Sequence, residues 1–528
     1  MKPSVFVLFL GLCLPMLAGI RVSNAEVTTV YATKSNMACA QDFATFLARV
    51  FNQEYSVIES TEVSEAGFYV GKEFAKDLPE DTHPEAFFIV IKDDKVFLYG
   101  NSDKHYNGNW RAANEFLQRF CGVRWLFPGS AGEVVPRCDE LKLSDTIIVE
   151  KPAFQVRVLK YGVDRQWAQR MNLGQSIDYT TGHAFSKWLP PTKYFKEHPE
   201  YYGLVSAINR VGGESKSGKA ERWPAQLCTS NPEVRRLIAE QVAAKKTGMM
   251  QSISPNDGYG FCECENCRIL DPERWTSIHT WPNLSNRMYD FAKDVALQAK
   301  KLNPESKVLL NIYTFCRPLP DLKVVGPMPD NLYLLDCLFG SMVKDRKEIE
   351  DKFATYNKMG VKYWIYEYWG CYTHGAWSVI DTIDWELKLM KKTNAIGIRV
   401  ENGTGFACVG LDNYIGARLM WNPDLKVDAL IDDYCEKGFG AAKTHMKEYF
   451  ALLNRLSANM SQNASGFATM IYRMPDFYTA DFFAQAAALF DKALKCKISP
   501  EERARVQFFH TGFRYTAINT EWSRTLQE

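Results

Sequence analysis

The chain has 528 residues, 46% hydrophobic and 24% charged, enough for two to four domains with substantial cores. Its 63 basic and 62 acidic side chains leave a net charge of +1, which excludes a nucleic-acid partner collected by phosphate charge. Aromatic residues make up 13%, including 13 Trp and 25 Tyr, a supply of rings for a large aromatic core or for stacking on sugars.

Residues 1–25 read as a secretory signal peptide: a Lys, an apolar run from Val5 to Leu17, then Ser23-Asn24-Ala25 before a cleavage point. That run is too short to span a bilayer, and no later stretch reaches the roughly 20 apolar residues a span needs. The expectation is an exported chain, periplasmic or extracellular, with no membrane span. Cys13 leaves with the leader, so an odd number of the 14 cysteines remains and at least one thiol stays unpaired within a monomer.

Residues 26–150 predict a small α/β domain. The apolar strands AFFIVIKD and KVFLYGNS alternate with the amphipathic stretches MACAQDFATFLARVFNQ and WRAANEFLQRFCG. From 151 to 422, eight strand candidates follow: QVRVLKYGV, SIDYTTG, PAQLCTS, MMQSISPND, KVLLNIYTF, NLYLLDCLF, KYWIYEYW and AIGIRVEN. The last five alternate with helical patterns, which predicts parallel strands in a (β/α)₈ TIM-like barrel. Residues 423–528 carry only amphipathic helical patterns and predict a helical C-terminal domain.

Two of the barrel runs end in acids. Glu367 closes KYWIYE and Glu401 closes GIRVE, 34 residues apart, about one strand-plus-helix repeat. An apolar run ending in a carboxylate costs desolvation unless the group is used or paired. In the last run Ile396, Ile398 and Val400 alternate with Gly397, Arg399 and Glu401, so one face is bulky and the other small, then charged. Asp257, after the fourth strand in SISPNDGYG, is either a turn former or a third carboxylate at the same mouth. Two carboxylates across a mouth are the minimum for glycoside hydrolysis, one protonating the leaving oxygen and the other activating water or attacking carbon. Glu367, Glu401 and Asp257 are therefore the expected catalytic groups, opening into one pocket.

Other polar and aromatic side chains follow strand ends and are expected to bind substrate: Arg165, Trp167 and Arg170 after the first strand, His183 after the second, Tyr313 after the fifth, Asp336 after the sixth, and Trp369 and Arg399. For each, packing or ion pairing is the structural alternative. Arg399 would bind an acidic or amide sugar substituent, or would pair with Glu401. Cys262, Cys264 and Cys267 stand in CECENC, with Cys228 as a distant fourth, and read as a structural clamp made by two disulfides or by zinc, of which zinc is not the favoured reading. No His lies beside them to leave a water-bearing position, so no catalytic metal is expected. A Ser elbow, P-loop, HExxH motif and nucleotide-binding glycine fingerprint are all lacking, and no organic cofactor is expected. The oligomeric state is not encoded in any of these patterns.

The set NWRAANEFLQRFCGVRWLFPG, GHAFSKWLPPTKYFKEHPEYYGL, QLCTSNPEVRRLIAEQV, SISPNDGYGFCECENC and NYIGARLMWNPDLKVDALIDDYCEKGFG resembles a bacterial family of exported proteins known as a domain of unknown function. That family is similar to the α-glucuronidases and β-hexosaminidases. The resemblance covers about residues 85–460 and implies a small α/β domain, a barrel and a helical domain. It also implies that the base-side carboxylates fall on Glu367 in YEYWG and Glu401 in RVENG. The chain departs from those enzymes after the fourth strand, where Asn256-Asp257-Gly258 replaces their acid motifs. The expected function is a glycoside hydrolase acting on a glycan. The alternatives are a glycan binder without catalysis and an extracellular scaffold assembled through the cysteines and C-terminal helices.

Overall fold

A computed structural model describes residues 20–23, 27–103, 105–206, 219–245, 248–271, 283–338, 345–370, 374–403, 405–463 and 470–527. The apolar run and cleavage point of the expected leader lie outside the described residues. Two compact units are present, one of residues 1–124 and 133–151, the other of residues 125–132 and 152–528.

The first unit holds a six-stranded sheet of β1 (Thr29–Ala32), β2 (Ser56–Glu59), β3 (Gly67–Val70), β4 (Phe87–Lys92), β5 (Lys95–Gly100) and β6 (Thr146–Glu150). Their order is β6-β4-β5-β3-β1-β2. β4 is apolar without alternation because both of its faces are covered. Helices α1 (Met37–Phe51) and α2 (Gly108–Arg119) cover one face, and Phe74, Ala75 and Leu78 pack with Phe88 and Val90 on the other. Phe43 of α1, Phe68 of β3 and Phe116 of α2 meet edge to face with ring centroids 5.3–5.7 Å apart. Asn107 caps α2 by accepting from the backbone N–H groups of Asn109 and Trp110.

In the second unit a seven-stranded sheet combines β7 (Val156–Leu159), β8 (Gly174–Gln175), β11 (Met250–Ser252), β12 (Lys307–Ile312), β13 (Leu332–Cys337), β14 (Lys362–Glu367) and β15 (Gly397–Val400). The order is β8-β7-β15-β14-β13-β12-β11. All neighbours are parallel except β8, which runs against β7. Beyond β11, Tyr179 bridges Met250 in parallel, so the short segment from Gly174 to Thr180 touches both edges of the sheet.

Two expected strands are not strands of this sheet, and SIDYTTG contributes only the isolated bridge at Tyr179. PAQLCTS belongs to β10 (Glu221–Leu227), which pairs antiparallel with β9 (Tyr202–Val205) as a separate ribbon. The apolar pattern was real, but it is satisfied by this hairpin-like pairing, which a period-two pattern does not distinguish from a place in the main sheet.

Alternation sorts the sheet residues into two faces. Val156, Met250, Leu309, Tyr333, Leu335 and Trp364 cluster on the inner face. Its next row aligns Val158, Arg399, Tyr366 and Cys337 across β7, β15, β14 and β13. The outer face aligns Asp336, Ile365 and Ile398 against the helix layer. There Tyr363 meets Phe353 and Tyr356 of α6 (Arg346–Lys358) at 5.0 Å, the sixth helix after α3 (Arg165–Arg170), α4 (Pro232–Ala243) and α5 (Ser285–Leu302).

Helices α7 (Ile380–Lys392), α8 (Phe406–Trp421), α9 (Val427–Phe439), α10 (Lys443–Asn463), α11 (Ala480–Lys495) and α12 (Pro500–Thr525) complete the unit. The helices after residue 423 thus share one compact unit with the sheet, and the boundary expected there does not separate compact units. Gly416 of α8 is the contact point for Trp369, because a Cβ there would come within 2.3 Å of the indole ring. Among the described residues no helix is long and apolar enough to cross a membrane.

Candidate active site

The inner face carries its polar groups to the C-terminal ends of the strands. Lys160, which follows Leu159 and keeps the inward parity of Val156 and Val158, forms an ion pair with Glu401. Tyr366, on the inner row of β14, donates its hydroxyl to the same Glu401 oxygen, and Tyr161 does so from 3.3 Å. Partial burial works against the Glu401 charge, yet Lys160 and the two phenols outweigh it and hold the carboxyl below its usual range. Tyr366 is pushed up by burial and by the carboxylate it serves, so it stays a donor. With its side chain 14% exposed, Glu401 keeps access to solvent.

Two loops behind this pair are stitched together. Asn402 donates to the Tyr161 carbonyl at 2.7 Å and accepts from the Tyr161 N–H at 3.0 Å. Asn311 and Ser254, on the inner rows of β12 and beyond β11, hydrogen-bond at 2.9 Å.

His183 and Tyr313 stack with centroids 4.9 Å apart at the same end of the sheet. His183 Nδ1 lies 2.9 Å from the Pro255 carbonyl, and a carbonyl can only accept, so Nδ1 carries the proton and Nε2 of the neutral ring is free to accept from a ligand. Asp257 is exposed on the loop after β11, and its Oδ1 accepts from the Gly258 N–H at 2.9 Å. Gly258 has φ +86°, a left-handed conformation that suits Gly in this turn. Asn256 anchors the loop to β10: its carbonyl accepts from the Gln226 amide at 2.7 Å, its N–H donates to Gln226 Oε1 at 3.0 Å, and its side-chain amide donates to the Ala225 carbonyl at 2.8 Å. The Asp257 charge is felt by Tyr313, as is Tyr366.

Arg399 is half-buried on the inner row, two residues before Glu401. It donates to Tyr179 at 3.4 Å, and the cation paired with Glu401 is Lys160. Arg165 is exposed as the first residue of α3.

Five expected site residues are placed away from this mouth. Glu367 is fully buried and pairs in register with Val400, on the helix-facing row of Tyr363 and Ile365. A period of two means that Tyr366 and Glu367 cannot both face inward, and Tyr366 does. Asp336 also lies on the outer row, where its carboxylate meets Lys352 at 2.7 Å and Tyr356 at 3.0 Å. Trp167 is buried, donates to the Trp125 carbonyl at 3.0 Å and packs edge-on against Phe406. Arg170 is buried with its guanidinium 4.6 Å over the Trp125 ring. Trp369 is buried against Gly416. Each reads as a strand-end or helix residue from spacing alone, whereas parity and burial decide where it points.

Lys160, Tyr161, Tyr366, Asn311 and Ser254 were not singled out by sequence. Parity is the signal for Lys160, Tyr366 and Asn311: extending Val156 and Val158 by two reaches Lys160, extending Trp364 by two reaches Tyr366, and extending Leu309 by two reaches Asn311, whereas Tyr161 falls on the opposite parity. Separately, Sγ atoms of Cys228, Cys262, Cys264 and Cys267 all lie within 4.8 Å of one another.

Residues 127–451 match a family described as a domain of unknown function, DUF4838. The chain belongs to that family. Among solved structures, this DUF4838 protein is similar to a GH138 enzyme targeting pectin rhamnogalacturonan II, with 12% identity and a TM-score of 0.51 over 94% of this chain and 70% of that one. It is also similar to the family 89 glycoside hydrolase from Clostridium perfringens. The complex of a doubly Glu-to-Gln substituted form with GlcNAc-alpha-1,4-galactose gives 11% identity and a TM-score of 0.53, and the PUGNAc complex gives 9% and 0.51. The DUF4838 chain spans 62% of the length of that family 89 enzyme, and 93% of the DUF4838 chain is covered. At such identities the likeness is one of fold, a glycoside hydrolase-like mixed α/β architecture. No curated protein matches the chain.

Proposed function

We propose that this protein is an exported glycoside hydrolase that cleaves glycosidic bonds in a glycan, with Glu401 and Asp257 as its two carboxylates. The reading includes a (β/α)₈-type barrel, its ring completed through the segment from Gly174 to Thr180.

The observation that carries the proposal is the setting of Glu401. An ionised carboxylate next to Lys160 and two phenols, at the C-terminal mouth of the inner face, suits the base or nucleophile of glycoside hydrolysis. Asp257 supplies the second carboxyl from the loop after β11, in the role of acid toward the leaving oxygen. The stacked His183 and Tyr313 offer an aromatic surface and an imidazole acceptor to sugar hydroxyls. Arg399 would recognise a carboxylate or amide substituent.

A second reading, glycan binding without catalysis, draws on Glu367. Of the three carboxylates expected at the mouth, that one lies in the helix-facing row.

A screen of the purified chain against labelled glycosides and uronides, with Glu401→Gln and Asp257→Asn beside it, separates the two. Turnover lost in Glu401→Gln with glycan affinity kept supports the enzyme. Glycan binding without turnover in the unsubstituted chain overturns it in favour of the binder.

A further inference from the structure

We propose that Cys228, Cys262, Cys264 and Cys267 form a structural zinc site with all four sulfurs as ligands. The four come from two parts of the chain. Cys228 directly follows β10, and the other three lie on the loop that leaves β11 and passes through Asp257. Cys228 and Cys262 are buried, as is Cys267, and Cys264 is partly exposed.

Sulfur spacing separates metal from disulfide. Zinc bound to sulfur at about 2.3 Å in a tetrahedron sets the S···S edge near 3.8 Å, whereas a disulfide needs about 2.05 Å. Cys228 Sγ lies 3.8 Å from Cys264 Sγ and 3.9 Å from Cys267 Sγ, and all four sulfurs fit within 4.8 Å. Cys264-x-x-Cys267 is the short-loop half of a zinc knuckle by spacing, and Cys262 and Cys228 complete four ligands. Four thiolates fill the shell and leave no position for water, so the ion would hold structure and take no part in chemistry.

The surroundings suit a dianionic zinc-tetrathiolate. The Leu204 N–H points at Cys262 Sγ from 3.3 Å, and the hydroxyls of Ser230 and Thr229 lie 3.1 and 3.8 Å from Cys267 Sγ. Arg222 brings a guanidinium nitrogen to 4.0 Å from Cys262 Sγ. Arg287 grips the Cys262 carbonyl at 2.7 Å and adds a second positive charge close to Cys267. Tetrahedral sulfur also accommodates iron. Zinc is the choice for a site whose only duty is to tie β10 to this loop, because it brings no redox chemistry.

The test is metal analysis and native mass spectrometry of the full chain, with Cys228→Ser and Cys267→Ser beside it. One zinc per chain, falling to none in Cys267→Ser, is the expected result. Bound iron, two disulfides among the four cysteines in a peptide map, or four metal-free thiols would each overturn the proposal. Should the variants fail to fold, alkylation of the unsubstituted chain decides: the four cysteines should react only after chelator treatment, and equal reaction without chelator refutes the site.

Discussion

Lys160 and Glu401 form an ion pair one row above the register pair of Val158 and Arg399, at the C-terminal ends of the neighbouring parallel strands β7 and β15. The pairing fixes which protonation state Glu401 takes. Lys160 favours the anion, so the carboxyl titrates below its ordinary range even though burial opposes the charge.

Lys160→Met should therefore move the acidic limb of the kcat/KM profile to higher pH, since a base acts only above its own pKa. Glu401→Gln should cost about 10²–10⁴-fold in turnover, the usual worth of a positioned general base. The measurement is a pH-rate profile on any glycoside the protein hydrolyses. An unmoved limb in Lys160→Met would mean that Glu401 is not the group being titrated.

Much of this architecture is legible in the sequence. The five strands from MMQSISPND to AIGIRVEN are found as parallel neighbours in chain order, because the runs alternate with helical patterns that supply the crossovers a parallel sheet needs. Glu401 and Tyr313 stand two residues beyond the inward-facing Arg399 and Asn311, so their direction can be counted from the sequence, whereas His183 follows no strand and is held by the Pro255 carbonyl. Glu367 and Asp336 differ from the expectation for one reason: an acid at the end of an apolar run is expected at the mouth, whereas counting by two from Trp364 and Tyr333 puts both in the helix-facing rows. Trp167, Arg170 and Trp369 depend on partners distant in sequence, such as Trp125 and Gly416, which no local pattern contains.

The placement of Asp336 makes a stability prediction. Its carboxylate and the Lys352 ammonium are both almost fully buried and 2.7 Å apart. Lys352→Met removes the cation and leaves a buried carboxylate uncompensated, which costs about 3–5 kcal/mol. Urea unfolding of this variant beside Asp336→Asn/Lys352→Met should show the single substitution to be the more damaging. A cost below 1 kcal/mol for Lys352→Met would argue that the pair is not buried as described.

Arg399→Met separates recognition from scaffolding at the mouth. Glu401 has its cation in Lys160, so the Arg399 charge is not needed to keep that carboxyl ionised, and its Tyr179 bond leaves guanidinium donors for a ligand. The expected outcome is loss of binding to uronides with neutral glycosides little changed, read by calorimetry or by competition. An equal loss on both classes would assign Arg399 to holding the inner face together.

Glu386 and Asp412 give the unit a pH dependence of opposite sign to that of Glu401. Both are fully buried on α7 and α8, and burial raises Glu386 to about 8 and Asp412 to about 7. Trp369 and Arg346 only partly offset the effect at Glu386, and the Val379 N–H and Ser378 hydroxyl only partly offset it at Asp412. A carboxyl raised in the folded state binds a proton that the unfolded chain, with carboxyls near 4, has already released. Folding is then stabilised most below that unfolded value, and the contribution is lost as pH rises through 7 and 8. Melting temperature should fall from pH 5 to pH 8.5. Glu386→Gln, which keeps the size and removes the ionisation, should flatten that fall, and the difference from the unsubstituted chain should be largest at the alkaline end. Parallel curves for the two proteins across this range would show that Glu386 does not change its protonation on unfolding.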